Sequence, residues 1–187
     1  RFKNYSPTYL RFLIVSGVFT LALSSNTFLL LKLKEVGFSD TQSIFIYALY
    51  NLSYALIAYP LGALADALGR KRLVVWSLAL YGLVYVGFGF ATQAWLVVAL
   101  FFIYGVYSAG FEGSSRAYLA ELIPSEEKAS AIGLYHTVNG LLLLPASFVF
   151  GWLWQNVSAR AAFLTSASLA LLAALLFIIL LPQKDHA

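Results

Sequence analysis

Gly62-Ala63-Leu64-Ala65-Asp66-Ala67-Leu68-Gly69-Arg70-Lys71-Arg72 is a short polar break between two long apolar runs. Upstream lies Asp40 to Leu64 and downstream Leu73 to Ala91. Each is long enough to cross a bilayer as a helix, which needs about 20 mostly apolar residues. The glycines Gly62 and Gly69 permit a tight turn at a helix end. Three consecutive bases at the edge of an apolar run read as a segment that stays on the cytoplasmic side. That reading accounts for Arg70, Lys71 and Arg72. It leaves unexplained both Asp66, an acid beside three bases, and the flanking glycines.

The same alternation of long apolar run and short polar break fills the rest of the chain. Tyr9 to Leu31 precedes; Ala94 to Ala120, Ala129 to Trp154 and Ala161 to Leu181 follow. None of the six runs alternates in the manner of a spanning strand, and helices satisfy their own backbone in lipid. Composition agrees. Of 187 residues 61% are hydrophobic and 11% charged, and the mean hydropathy is +0.81, whereas soluble domains carry about 25% charged residues. The expected fold is an all-α membrane protein, a single six-helix bundle over residues 1–187 with the lipid bilayer as its solvent. The break residues fit: Ser39 with Gln42 three positions on forms a capping box, and Ser125 before Glu126 and Glu127 reads as an N-cap with acids at the positive end of a helix. The first run has no small-residue cleavage site after it and reads as a span, not a signal peptide. The chain begins at Arg1 and contains no Met, which reads as a piece of a longer protein.

Lys and Arg in the breaks set the orientation. With the N-terminus inside, the inner set is Arg1, Lys3, Arg11, Arg70, Lys71, Arg72, Lys128 and Lys184, and the outer set is Lys32, Lys34 and Arg160. The excess favours both termini in the cytoplasm, in a plasma (inner) membrane. A faint internal likeness links Gly62-Ala63-Leu64 to Gly151-Trp152-Leu153, each followed by a basic residue, at matching places in two three-helix sets. This suggests a 3+3 inverted repeat, a unit common in transporters.

The segment Gly62 to Lys71, Gly-x-Leu-Ala-Asp-x-x-Gly-Arg-Lys, resembles the signature loop of the major facilitator superfamily, and it falls between the second and third of six spans as that signature does. The chain departs from the pattern at Ala67, where the family usually has a basic residue. Tyr118-Leu119-Ala120-Glu121-Leu122-Ile123-Pro124, then Lys128, looks like the family's span-end pattern. The resemblance implies two six-helix bundles that move small solutes by alternating access. The weakened loop and the tail soon after Leu181 suggest the C-terminal half, with an N-terminal six-helix bundle as its partner. It also implies that Asp66 and Arg70 latch the two bundles on the cytoplasmic side, and that spans one, two, four and five line the cavity. The partners are then a small-molecule solute and a coupling proton or cation.

Charge inside a span is costly, so such residues pair or function. Glu112 and Arg116, four apart, share one helical face. Counted from Trp95, Glu112 falls near the inner edge of the membrane, which favours a cytoplasmic charge network with Arg70 and Glu121 over a coupling carboxylate at the midplane. Tyr47, Asn51 and Tyr54 share a face of the second span. Tyr104 and Ser108 lie two turns and one turn before Glu112, and Tyr135, His136 and Asn139 cluster on the fifth span. These are candidate cavity residues, with His136 a candidate proton carrier; the alternative is hydrogen bonding between helices. No phosphate-binding loop, metal cluster or catalytic constellation occurs, so neither an enzyme nor a cofactor is expected, and because the basic residues lie at membrane edges nucleic acid is not an expected partner. A membrane receptor or assembly scaffold is the alternative to a transporter.

Overall fold

The computed structural model describes residues 5–124 and 127–181. The expected cap at Ser125 and Glu126, and the terminal bases Arg1, Lys3 and Lys184, lie outside the described residues. Seven helices follow in order: α1 (Pro7–Ala22), α2 (Asn26–Glu35), α3 (Asp40–Leu68), α4 (Arg70–Phe90), α5 (Ala94–Glu121), α6 (Lys128–Asn156) and α7 (Ala159–Leu180). No strand occurs among the described residues. They make six spans, because α1 and α2 together form the first, Pro7–Glu35.

That first span corrects the expectation of one helix over 9–31. The chain leaves helical geometry at Leu23, and Ser25 starts α2 by accepting a hydrogen bond from the Thr27 amide. A break inside a membrane needs partners for the freed backbone groups. Tyr81 of α4 supplies one, donating to the Ala22 carbonyl at 2.8 Å, and the Tyr85 hydroxyl meets the side chain of Ser24 at 3.0 Å.

The break between the second and third spans is also shorter than expected. Helix α3 continues through Asp66 to Leu68, and α4 starts at Arg70. Only Gly69 turns the chain, with φ +93, a conformation that glycine adopts at little cost. Asp66 is therefore a residue of the last turn of α3. The capping box at Ser39 and Gln42 forms as expected. Lys71 reaches across to the last carbonyls of α7, donating to Ile178 and to Leu181.

Helices α4, α5, α7 and α1 make the core; α3 packs on α5 and α4, and α6 on α1 and α7. The core is aromatic, with Phe12, Tyr81, Tyr85, Phe88, Phe101, Tyr118 and Phe163 fully buried. Lipid gives no hydrophobic drive to pair helices, so close approach at small residues matters most. Gly82 of α4 lies against Leu171 of α7, Gly110 of α5 against Ser77 of α4, and Gly105 of α5 against Ser53 of α3. Half of the most apolar stretch of α4 and of α5 is buried, but only 11% of that of α3 and of α6. Both of the latter also carry a proline, Pro60 and Pro145.

Candidate functional site

Two adjoining cavities open between the first, second, fourth and fifth spans. The smaller, about 280 Å³, is lined by α1 (Ser16, Thr20), α5 (Phe111, Glu112, Arg116) and α6 (Tyr135, His136, Asn139). The larger, about 600 Å³, lies beside the α1–α2 break and is lined by Ser24, Ser25, Asn26, Tyr50, Tyr104 and Tyr107, with Ser147 on α6. Glu112 and Arg116 line both. No residue of α4 or α7 contributes a wall.

The spacing of α5 brings Glu112 and Arg116 together, with Arg116 Nη2 3.6 Å from Glu112 Oε2. Tyr54 of α3 donates to the same carboxylate oxygen at 3.2 Å. The side chains keep 44% and 69% of their exposure, so the pair is loose and open to the cavity. Glu112 is nine residues before the end of α5, about 14 Å along the axis.

The ion pairs divide the expected charge network in two. Arg70 Nη1 lies 2.8 Å from Glu121 Oε1, and Arg70 Nη2 lies 3.3 Å from Asp66 Oδ1. Arg70 also donates to the Ala117 carbonyl at 3.4 Å. One guanidinium thus ties the ends of α3, α4 and α5 together. Glu112 and Arg116 belong instead to the cavity. Of the three bases in sequence, Lys71 caps α7 and Arg72 faces outward.

The remaining candidates fall into two sets. Tyr104, Tyr135, His136 and Asn139 line the cavities. Tyr47 lines neither cavity, and with Tyr104 it clasps Asn26: the Asn26 amide donates to the Tyr47 hydroxyl at 3.0 Å, and the Tyr104 hydroxyl donates to its carbonyl oxygen at 3.3 Å. Asn51 is exposed and bonds its own helix at the Tyr47 carbonyl. Asn139 Oδ1 accepts from Thr20 at 2.7 Å. Sequence reasoning missed Asn26 and Ser25, although Ser24-Ser25-Asn26 carries three helix-capping residues in a row inside an apolar run.

No group of His, Asp and Glu among the described residues could hold a metal ion. The arrangement is an aromatic cavity with one loosely paired carboxylate, one guanidinium and several hydroxyls. It suits reversible binding of a solute.

Known proteins give the family. The chain is 35% identical to the uncharacterized MFS-type transporter MJ1317 of Methanocaldococcus jannaschii, over 94% of this chain and 46% of that protein. It is 30% identical to multidrug resistance protein MdtG of Yersinia enterocolitica, over 89% of this chain and 40% of the relative. It is also 30% identical to the multi-drug resistance efflux pump PmrA of Streptococcus pneumoniae, over 74% and 36%. The chain therefore spans less than half the length of these relatives. Residues 12–187 match the sequence profile of the Major Facilitator Superfamily; with six spans and a polar cavity between four of them, the chain belongs to that family.

Proposed function

We propose that the chain is the C-terminal half of a secondary transporter that moves a small solute by alternating access. The observation that carries this is the position of the cavity. It lies on the side flanked by α3 and α6, the two helices least covered within the bundle. Their exposed side chains include Phe45, Leu52, Leu56, Leu141, Leu144 and Phe148. A second, N-terminal six-helix bundle laid against these helices would close the cavity into a central site. The bundle sits in the plasma membrane with both termini in the cytoplasm, and the chain is no enzyme. Asp66 and Arg70 serve the cytoplasmic latch.

The relatives named for multidrug resistance and efflux, together with the lining of Phe19, Tyr50, Tyr107 and Phe111, support a solute with a sizeable apolar body. Glu112 and Arg116 offer it a charge of either sign, and a proton or cation would supply the energy. The test is uptake by proteoliposomes holding the full-length protein, with a panel of drugs and metabolites and an imposed proton gradient. Accumulation of at least one compound, lost in Glu112→Gln, is expected. A protein that inserts and melts normally yet moves nothing on the panel, with or without a gradient, overturns the reading.

A further inference from the structure

The signature segment has a second face that the latch does not use. Arg72 and Trp76, one turn apart on α4, form a ridge with an apolar groove on each side. One groove, about 380 Å³, runs between α3 and α4 and is lined by Leu61, Leu64, Leu68 and Leu73. The other, about 360 Å³, runs between α4 and α7 and is lined by Lys71, Val75 and Ile178. Arg72 and Trp76 line both grooves. Trp76 is 47% exposed on a helix that contributes nothing to the central cavity. From Leu68 to Leu61 the first groove descends two helical turns, about 10 Å toward the membrane interior.

We propose that this ridge is a binding site for one anionic phospholipid, its phosphate on Arg72 and one acyl chain in each groove. Three observations converge on that ligand. Arg70, Lys71 and Arg72 make this the most basic point of the sequence. Arg70 is committed to Asp66 and Glu121, and Lys71 to α7 carbonyls. Of the three, Arg72 alone lines both grooves. A guanidinium presents five donors in a planar fork, so it can hold a phosphate alongside any protein contact. The two grooves are of similar size, diverge from a single head position and are walled by Leu, Val, Ile and the Trp ring, which suits two hydrocarbon chains under one headgroup. Basic pockets between spans near the membrane surface recognise anionic headgroups in this way, and interfacial Trp sits at headgroup level. A lipid here would bridge the ends of α3, α4 and α7, next to the helix ends that Arg70 ties. The site depends on the bundle spanning a membrane and not on transport.

The test is native mass spectrometry of the detergent-purified protein titrated with phosphatidylglycerol or phosphatidylcholine of matched chains. Wild type should retain one phosphatidylglycerol preferentially. Arg72→Gln should weaken it about fivefold, the worth of one interfacial basic residue, with phosphatidylcholine unchanged. Leu64→Trp, which fills a groove and leaves the charge, should also lower occupancy. Arg160→Gln at the opposite end should not. Melting without added lipid shows that each variant is folded. Equal retention of the two lipids would mean a groove that reads chains only, and overturns the proposal. So does unchanged phosphatidylglycerol binding in Arg72→Gln, or its displacement by millimolar inorganic phosphate.

Discussion

At the residue scale the sharpest structural demand is made by Gly105. A Cβ there would fall 1.8 Å from Ser53 Oγ and 2.6 Å from the Tyr50 carbonyl oxygen. Ser53 is buried and already bonded to the Tyr50 and Phe102 carbonyls, so it has little room to give. Gly105→Ala should lower stability by about 1–3 kcal/mol, the usual cost of overpacking. Gly113 on the same helix has open space at its Cβ position, and its replacement by Ala should be neutral or gain about 0.5–1 kcal/mol from backbone entropy. Melting in detergent compares the two; equal shifts would mean that α3 and α5 do not pack as closely as described. Glu112 and Arg116 make a second residue-scale case. Each alone would face Tyr54 and the cavity with an unmatched charge. Glu112→Gln and Arg116→Gln should therefore each lower the melting temperature in detergent, and the double replacement should lower it by less than the two sum to, with a coupling of about 0.5 kcal/mol or more. Strict additivity would assign the two charges to separate partners. The pairing itself was legible in sequence, because a four-residue spacing on a helix has one geometric meaning. Which network the pair belonged to was not, since that depends on where α3 and α6 lie.

At the element scale the informative feature is the break between α1 and α2. Hydropathy sees an unbroken apolar run from Tyr9 to Leu31. The break is held because Ser25 caps α2 and because Tyr81, some sixty residues away in sequence, satisfies the Ala22 carbonyl, while Tyr85 holds the Ser24 side chain. A local reading can find the cap but not the distant partner, so the break was missed. The same reasoning placed Asp66 in a loop, since the glycines at 62 and 69 look alike in sequence. Only Gly69 has a positive φ, and Gly62 lies inside α3. Ser25→Ala should cost about 1 kcal/mol of stability, as caps do. It should also disturb the lining of the larger cavity, where Ser25 and Asn26 sit. The helix-end tie at Arg70 gives a sharper test. Arg70→Ala removes the ion pairs to Glu121 and to Asp66 at once, whereas Asp66→Asn removes only the longer of the two. Transport should fall in both, and further in Arg70→Ala, with insertion intact. Wild-type rates in Arg70→Ala would remove the latch role.

At the scale of the whole molecule the six-span bundle was readable because it follows from length and composition, which sum over many residues and tolerate local error. The order of packing was not, because α4 and α7 meet through alanines and glycines whose spacing carries little signal. Orientation rests on charge. Arg11, Arg70, Lys71, Arg72 and Lys128 gather at one end of the bundle. At the other end Lys32 is buried and paired with Glu35, Lys34 pairs with Asp40, and Arg160 lies 3.8 Å from the centre of the Phe90 ring. Topology follows basic residues near span ends more than net charge, so the first end should face the cytoplasm. The chain has no Cys, so single cysteines report cleanly once any elsewhere in the protein are removed. Val157, 61% exposed between α6 and α7, and Lys128, exposed at the start of α6, lie at opposite ends and outside the ion pairs described above. In intact cells a membrane-impermeant maleimide should label Val157→Cys and leave Lys128→Cys unmodified until the cells are permeabilised. The reverse pattern would turn the bundle over, and the bases of the signature segment would then face outward, where a cytoplasmic latch has no meaning. Labelling of both positions in intact cells would point to mixed insertion, which the charge difference between the two ends argues against.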